Sequence, residues 1–297
     1  MPMYEIKKFD YTSILGWSLS RYDIFQTCKR RYYYTYYSKF DNEYSTDKIL
    51  FLKEMVSEPL AVGGVAHEMI KTLLRRLLKD EGTIRRNRFF NYTLGTLKEY
   101  CKNHTFRETY YKEASKLDIS EIENDIKLCL NNLLDSKRVT WLTGRAIKTK
   151  KDWILDPPGY GESRIDDLKV YFKVDFLFPA DDSIYIIDWK TGKPLEQKHH
   201  KQLLGYTSWA SYHLNIDPDK IIPIVAYLKP EYEEKEYEFT QDDMKVFISS
   251  IKQETSEMYE YCLDKEENIP KQKAAFIKTD NDKICENCNF RELCFNK

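Results

Sequence analysis

Asp188-Trp189-Lys190 closes an apolar run, Ile184-Tyr185-Ile186-Ile187, that reads as a central strand buried on both faces. A period of two puts Asp188 and Lys190 on one face and Trp189 on the other. Charges at the end of a buried strand are costly unless they are paired or bind a metal. Upstream, Lys173-Val174-Asp175-Phe176-Leu177 sets a second carboxylate among apolar neighbours, and antiparallel pairing of the two segments brings Asp175 toward Asp188. Two carboxylates beside an amine suit a divalent ion, with the amine aimed at a phosphate or an attacking water. Mg²⁺ prefers such oxygen ligands and is often shared with substrate phosphates. An isolated Asp-x-Lys is more often a structural ion pair, so its meaning depends on its company.

That company is an imidazole, an amide and a phenol. His67 follows Gly63-Gly64-Val65-Ala66, and Leu60, Gly63, His67, Ile70 and Leu74 keep a helical rhythm that turns His67 inward. Neutral imidazole is a good metal ligand, and the two glycines allow a neighbouring backbone to come close. Gln202-Leu203-Leu204-Gly205-Tyr206 places its amide and phenol one turn apart on a helix face.

The cysteines suggest a second centre. Cys285, Cys288 and Cys294 form a Cys-x2-Cys-x5-Cys cluster in a tail too short for its own core. Three thiolates need a fourth ligand to make a tetrahedral zinc site or a cubane cluster. Cys101, Cys129 and Cys262 read as helix residues, where cysteine behaves as a small apolar group. Cys28 differs, preceding Lys29-Arg30-Arg31 in an aromatic segment. Cys28 and the tail trio are therefore expected to share one metal centre, with iron–sulfur and zinc both open on spacing.

The surrounding elements follow from capping and period. Ser18-Leu19-Ser20 caps a helix over residues 21–37, and Pro59 starts another that runs to about residue 80 and stops at Gly82. Residues 89–138 read as further helices, with Asp118 and Ser120 as start signals. Residues 169–178 and 183–190 read as strands joined by a turn at Pro179-Ala180-Asp181-Asp182. Helix at 196–214, strand at 221–228, a Glu-rich strand and helix at 242–263 complete an α/β order.

A length of 297 residues allows one or two domains, and 47 basic against 48 acidic residues exclude a uniformly basic nucleic-acid coat. Basic residues are nonetheless segregated. Lys71, Arg75, Arg76, Lys79, Arg85, Arg86 and Arg88 form one group, and Lys137, Arg138, Arg145, Lys148, Lys150 and Lys151 another, while residues 231–238 are acidic. Phosphate backbones favour the first two regions. No apolar stretch approaches the roughly 20 residues of a membrane span, and the first ten residues show no secretory apolar region, so a cytoplasmic address without membrane partners is expected.

Taken in chain order, the Gly-x-x-x-His helix with His67, the strand Asp175, Asp188-x-Lys190 and Gln202-x-x-x-Tyr206 resemble the PD-(D/E)XK nuclease superfamily in its RecB-like branch. The four cysteines extend the likeness to iron–sulfur members such as CRISPR-associated RecB-type exonucleases, the AddB nuclease domain and exonuclease V. Two departures are visible: no glycine shortly precedes Asp175, leaving Asp166 and Asp167 as nearby acids, and the third motif carries Asp188 rather than Glu.

The resemblance implies a restriction-endonuclease-like α/β core, a short mixed sheet flanked by helices, with a helical insertion and an iron–sulfur clip joining the termini. It implies a single nuclease domain over 1–297: N-terminal helices at 18–80, insertion at 83–140, catalytic core at 141–264 and cluster-binding tail at 276–297. In that scheme His67, Asp175, Asp188 and the Trp189 carbonyl hold one or two Mg²⁺ or Mn²⁺ ions. Lys190 orients the attacking water and stabilises the transition state. Gln202 and Tyr206 position the strand, Arg75 and Arg76 guide its backbone, and the Tyr-rich first helix offers faces for base stacking. A [4Fe-4S] cluster on Cys28, Cys285, Cys288 and Cys294 is then favoured over zinc.

The implied activity is metal-dependent hydrolysis of DNA phosphodiesters by an exonuclease acting on single strands or ends, in repair, recombination or CRISPR adaptation. A phosphate-binding loop of the G-x-x-x-x-G-K-[ST] type does not occur in the sequence, so a helicase motor, or an integrase-type protein, would be a partner. The alternative is a DNA-binding or structural subunit of such a complex with little activity alone.

Overall fold

The computed structural model describes residues 7, 9–79, 84–155 and 163–295. By their contacts these divide into two compact units: Lys7 with residues 56–79, 84–155 and 172–245, and residues 9–55, 163–171 and 246–295.

In the first unit, the run before Asp188 becomes the middle strand of a mixed sheet. Its strands are β1 (Ile154–Leu155), β2 (Phe176–Ala180), β3 (Ser183–Lys190), β4 (Ile221–Tyr227) and β5 (Glu233–Glu236), in that spatial order. Only β3 and β4 are parallel. The longer helices are α1 (Glu58–Lys79), α2 (Arg86–Asn103), α3 (Ile119–Leu134), α4 (Lys137–Gly144) and α5 (Glu196–Leu214), and α5 is the crossover that a parallel pair requires. The result is an α/β fold with a mixed sheet flanked by helices.

The buried stripe of α1 (Val62, Val65, Met69, Leu73), α2 (Leu97) and α3 (Ile126, Leu130) joins Phe176, Phe178 and Trp189 of the sheet in one apolar core. The strand period thus commits Trp189 to this side and leaves Asp188 and Lys190 facing α5. Leu130 is fully buried in α3. Leu130→Ala is expected to cost about 2–5 kcal/mol, read as a lower urea midpoint.

Several sequence expectations shift. Pro179 and Ala180 lie in β2, and the turn narrows to Asp181-Asp182, whose φ values of 50° and 63° make the left-handed pair of a tight hairpin. Pro179 is tolerated because β1 covers only Phe176 and Leu177, so its missing N–H faces no neighbouring strand. Leu60 is exposed; the inward stripe of α1 runs through Ala61, Val62, Val65 and Ala66 instead. The expected stop at Gly82 lies outside the described residues.

The second unit contains the segment read as one helix over residues 21–37. It is two helices, Leu19–Thr27 and Lys29–Tyr37, broken at Cys28, which is extended (φ −161°) and caps the second helix by accepting the Arg31 N–H on Sγ. Neither proline nor glycine marks that break. Four of its tyrosines offer no faces to bases: Tyr32, Tyr33, Tyr34 and Tyr37 are buried, packing on Phe25, Phe276 and Phe290, while Tyr22 and Tyr36 are half-buried. Clustered rings take a large apolar area out of water. Phe276, Phe290 and Leu293 thereby tie down the tail, with Arg30 Nε donating to the Phe276 carbonyl (2.8 Å) and Asn289 to that of Met55 (2.8 Å).

The segment 169–178 is not one strand. Leu168–Val170 pairs with Ser163–Ile165 in a separate hairpin turning at Asp166-Asp167. Cys262 lies in a short strand, Cys262–Asp264, because the preceding helix ends at Tyr259.

Candidate active site

The first unit gathers every expected member of the catalytic constellation. Asp175 immediately precedes β2, and the register Phe176↔Ile187 continues so as to set it across from Asp188. From α1, His67 Nδ1 lies 3.2 Å from Asp175 Oδ2, an oxygen that also faces the Trp189 N–H at 3.4 Å. Gly63, one turn before His67, passes Thr191; a Cβ there would meet Thr191 Oγ1 at 3.3 Å. The glycine pair thus admits side chains, Thr191 here and Tyr100 at Gly64, rather than a neighbouring backbone.

The groups facing α5 form a closed ring. Lys190 Nζ lies 2.6 Å from Asp188 Oδ2 and donates to Gln202 Oε1 at 2.8 Å. Gln202 Nε2 donates to the Tyr206 hydroxyl at 2.6 Å, and Tyr206 completes the circuit by donating to Asp188 Oδ1 at 3.4 Å. Asp188 is 3% exposed, so its charge is tolerated only through these partners.

The two acids are driven apart electrostatically. Burial pushes the Asp188 carboxyl up to about 6, overcoming the Lys190 ammonium, and the like charge of Asp175 adds to the rise. Burial acts on Asp175 in the same sense, but the charge and hydrogen bond of His67 outweigh it and hold that carboxyl below its ordinary value. Burial disfavours the His67 cation, yet Asp175 wins there too and raises the imidazole pKa.

Among the described residues, no three His, Cys, Asp or Glu side chains converge as they stand on a metal position. His67 and Asp175 are turned toward each other, and Asp188 toward Lys190 and Tyr206.

The expected nucleic-acid contacts are of mixed quality. Arg75 and Arg76 are exposed near the end of α1, with Arg75 3.8 Å from Glu68. In the second basic group Arg138 is bound by Glu234 (2.7 Å) and Glu236 (3.0 Å), and Arg145 by Asp181 (2.7 Å). Folding therefore spends part of that group on the acidic β5.

Two neighbours escaped the sequence reading. His199 of α5 is buried with Nδ1 2.8 Å from the Tyr227 hydroxyl, and Tyr227 is the register partner of Lys190. Burial, helped by Lys190, lowers the His199 pKa to about 4, so it is neutral. Its only sequence signal was a histidine one residue short of a turn before Gln202.

In the second unit, Cys28, Cys285, Cys288 and Cys294 line one small cavity with Arg31, Tyr34 and Lys278. Burial raises the thiols of Cys285, Cys288 and Cys294, the last to about 11, and neighbouring sulfurs add to each rise. Asp166 and Asp167, the alternative acids, form their hairpin turn in this unit, where Asp166 pairs with Lys252.

A family model described as PD-(D/E)XK nuclease superfamily matches residues 16–295. No curated protein matches the sequence. Among solved structures, "Crystal structure of SSO0001" is similar at 17% identity, covering 62% of this chain and 75% of that one with a TM-score of 0.29, a likeness too low to carry any argument.

Proposed function

Because the chain belongs to the PD-(D/E)XK nuclease superfamily, we propose that it is a metal-dependent deoxyribonuclease of the RecB-like branch, acting as an exonuclease on single strands or ends. The observation that carries this reading is the Asp188–Lys190–Gln202–Tyr206 ring with the His67–Asp175 pair at the adjoining strand end.

The donor set fits Mg²⁺ or Mn²⁺: two carboxylates and an imidazole whose present partners are one another, an ammonium and a phenol, all exchangeable for a cation. His67, Asp175, Asp188 and the Trp189 carbonyl would hold it. When bound, such an ion supplies charge stabilisation at phosphorus and a more acidic water. Lys190, anchored by Gln202, directs its ammonium at the attacking water and the developing negative charge. Tyr206 keeps Asp188 oriented, and Arg75 and Arg76 receive the backbone of the incoming strand.

For the second centre, four thiols line one cavity beside Arg31 and Lys278; turned inward from their present positions they suit a [4Fe-4S] cluster, whose thiolate charge those cations would offset. Zinc is the lesser fit, since only one Cys-x-x-Cys pair is present. The cluster's role is a clip between the first helices and the tail. Residues 1–297 then work as one cytoplasmic nuclease, in repair, recombination or CRISPR adaptation, with a helicase or integrase-type partner.

End-labelled single- and double-stranded DNA, incubated with the purified protein and Mg²⁺ or Mn²⁺, should shorten from an end and survive in EDTA. Binding without cleavage under both metals would favour a DNA-binding subunit instead.

A further inference from the structure

The first unit holds a groove that the constellation above does not use. It lies between α1 and α2, has a volume of about 590 Å³, and is within the roughly 300–1,000 Å³ range of small-molecule sites. Its floor is set by Gly64 of α1 and Gly95 of α2. A glycine inside a helix costs about 1 kcal/mol relative to alanine, so each asks for a reason. Gly64 has one, because a Cβ there would press on the Tyr100 hydroxyl at 3.3 Å. Gly95 has none within the protein: a Cβ built on it meets nothing within 4 Å and projects into open space.

The walls describe the guest. Tyr92 is 59% exposed, a ring offered rather than buried. Tyr100 is held by stacking on His104, with centroids 4.0 Å apart and planes 17° from parallel. Flat rings over a glycine floor suit a flat guest. Glu68 and Glu99 also line the groove, so a phosphate is repelled while an amino group is accepted. Glu68 follows His67 directly, and Arg75, seven residues on, reaches back to 3.8 Å from its carboxylate, so a flanking phosphate finds a cation at the rim of the groove.

We propose that this groove is a subsite for one unpaired nucleobase bearing an exocyclic amine, cytosine before thymine. The base stacks on the tyrosines and donates to Glu68 or Glu99. This deepens the nuclease reading by naming what the enzyme grips beside its metal site.

The decisive variant is Gly95→Leu, which fills the groove with a residue that helices prefer, so its Tm should equal or exceed that of the wild type. Binding is read by fluorescence anisotropy of labelled dC12 and dT12 in EDTA. The wild type should prefer dC12, Gly95→Leu should bind dC12 about tenfold more weakly, and Tyr92→Ala should show a similar loss. Glu68→Gln with Glu99→Gln should erase the preference for dC12 over dT12. Equal binding of dC12 by wild type and a folded Gly95→Leu overturns the subsite. So does Gly95-dependent binding of a labelled hexa-arginine peptide with DNA binding unmoved, which would assign the groove to a cationic side chain. The two readings fail separately. A wild type that grips dC12 in a Gly95-dependent way yet cuts nothing keeps the subsite and loses the nuclease; cleavage with Gly95-independent binding does the reverse.

Discussion

Lys190→Ala is expected to slow metal-dependent DNA cleavage by about 10²–10³-fold while leaving DNA affinity in EDTA essentially unchanged. The ammonium touches no element of the apolar core. It lies between Asp188 Oδ2 (2.6 Å) and Gln202 Oε1 (2.8 Å) at the end of β3, where on the proposed reading it serves the reacting phosphate and its water. Its loss also strips the buried Asp188 of its nearest positive charge, and breaking a buried pair from one side destabilises by about 3–5 kcal/mol. Lys190→Arg separates the two effects. A guanidinium restores the charge, and with it much of the stability, but its planar fork cannot take the same place between Asp188 and Gln202. Cleavage should stay low in Lys190→Arg while Tm recovers. Wild-type turnover in Lys190→Ala would remove Lys190 from the chemistry, and in Lys190→Arg it would show that any cation at this position suffices.

Cys288→Ser is expected to abolish iron binding and expose the tail to protease. On the proposed reading, protein purified without oxygen is brown and carries about four iron atoms per chain, all held by thiolates. Cys288 is the most buried of the four, and its neighbours Phe290 and Leu293 are the tail's apolar anchors. Losing one ligand leaves Cys28, Cys285 and Cys294, and burial of the last two already opposes their thiolate form, so the site should empty rather than rearrange. Limited proteolysis should then cut after residue 276 in the variant and not in the wild type. A colourless wild type with stoichiometric zinc would replace the cluster with a zinc clip. A wild type with neither metal, equally resistant to protease, would mean that aromatic packing alone secures the tail.

The features legible along the chain are those whose signal is local. Alternation along residues 184–190 is enough to put Asp188 and Lys190 on one face, since side chains in a strand must alternate. The i, i+4 spacing of Gln202 and Tyr206 suffices to make them neighbours on a helix. A polar residue at 118 suffices to start α3, because its carboxylate accepts the orphan N–H groups of Ser120 and Glu121.

The relations between elements emerge only in the folded chain. Nothing in residues 58–79 announces that His67 finds Asp175 rather than sitting mute in the core, for that depends on where α1 lies against the end of β2. Tyr32, Tyr33, Tyr34 and Tyr37 read equally as exposed stacking faces or as core; Phe276 and Phe290, more than 220 positions away, settle them as core. The break at Cys28 and the empty space over Gly95 are likewise invisible along the chain. Propensity and period act over a few residues, whereas burial and pairing are set by whichever distant segment fills the space.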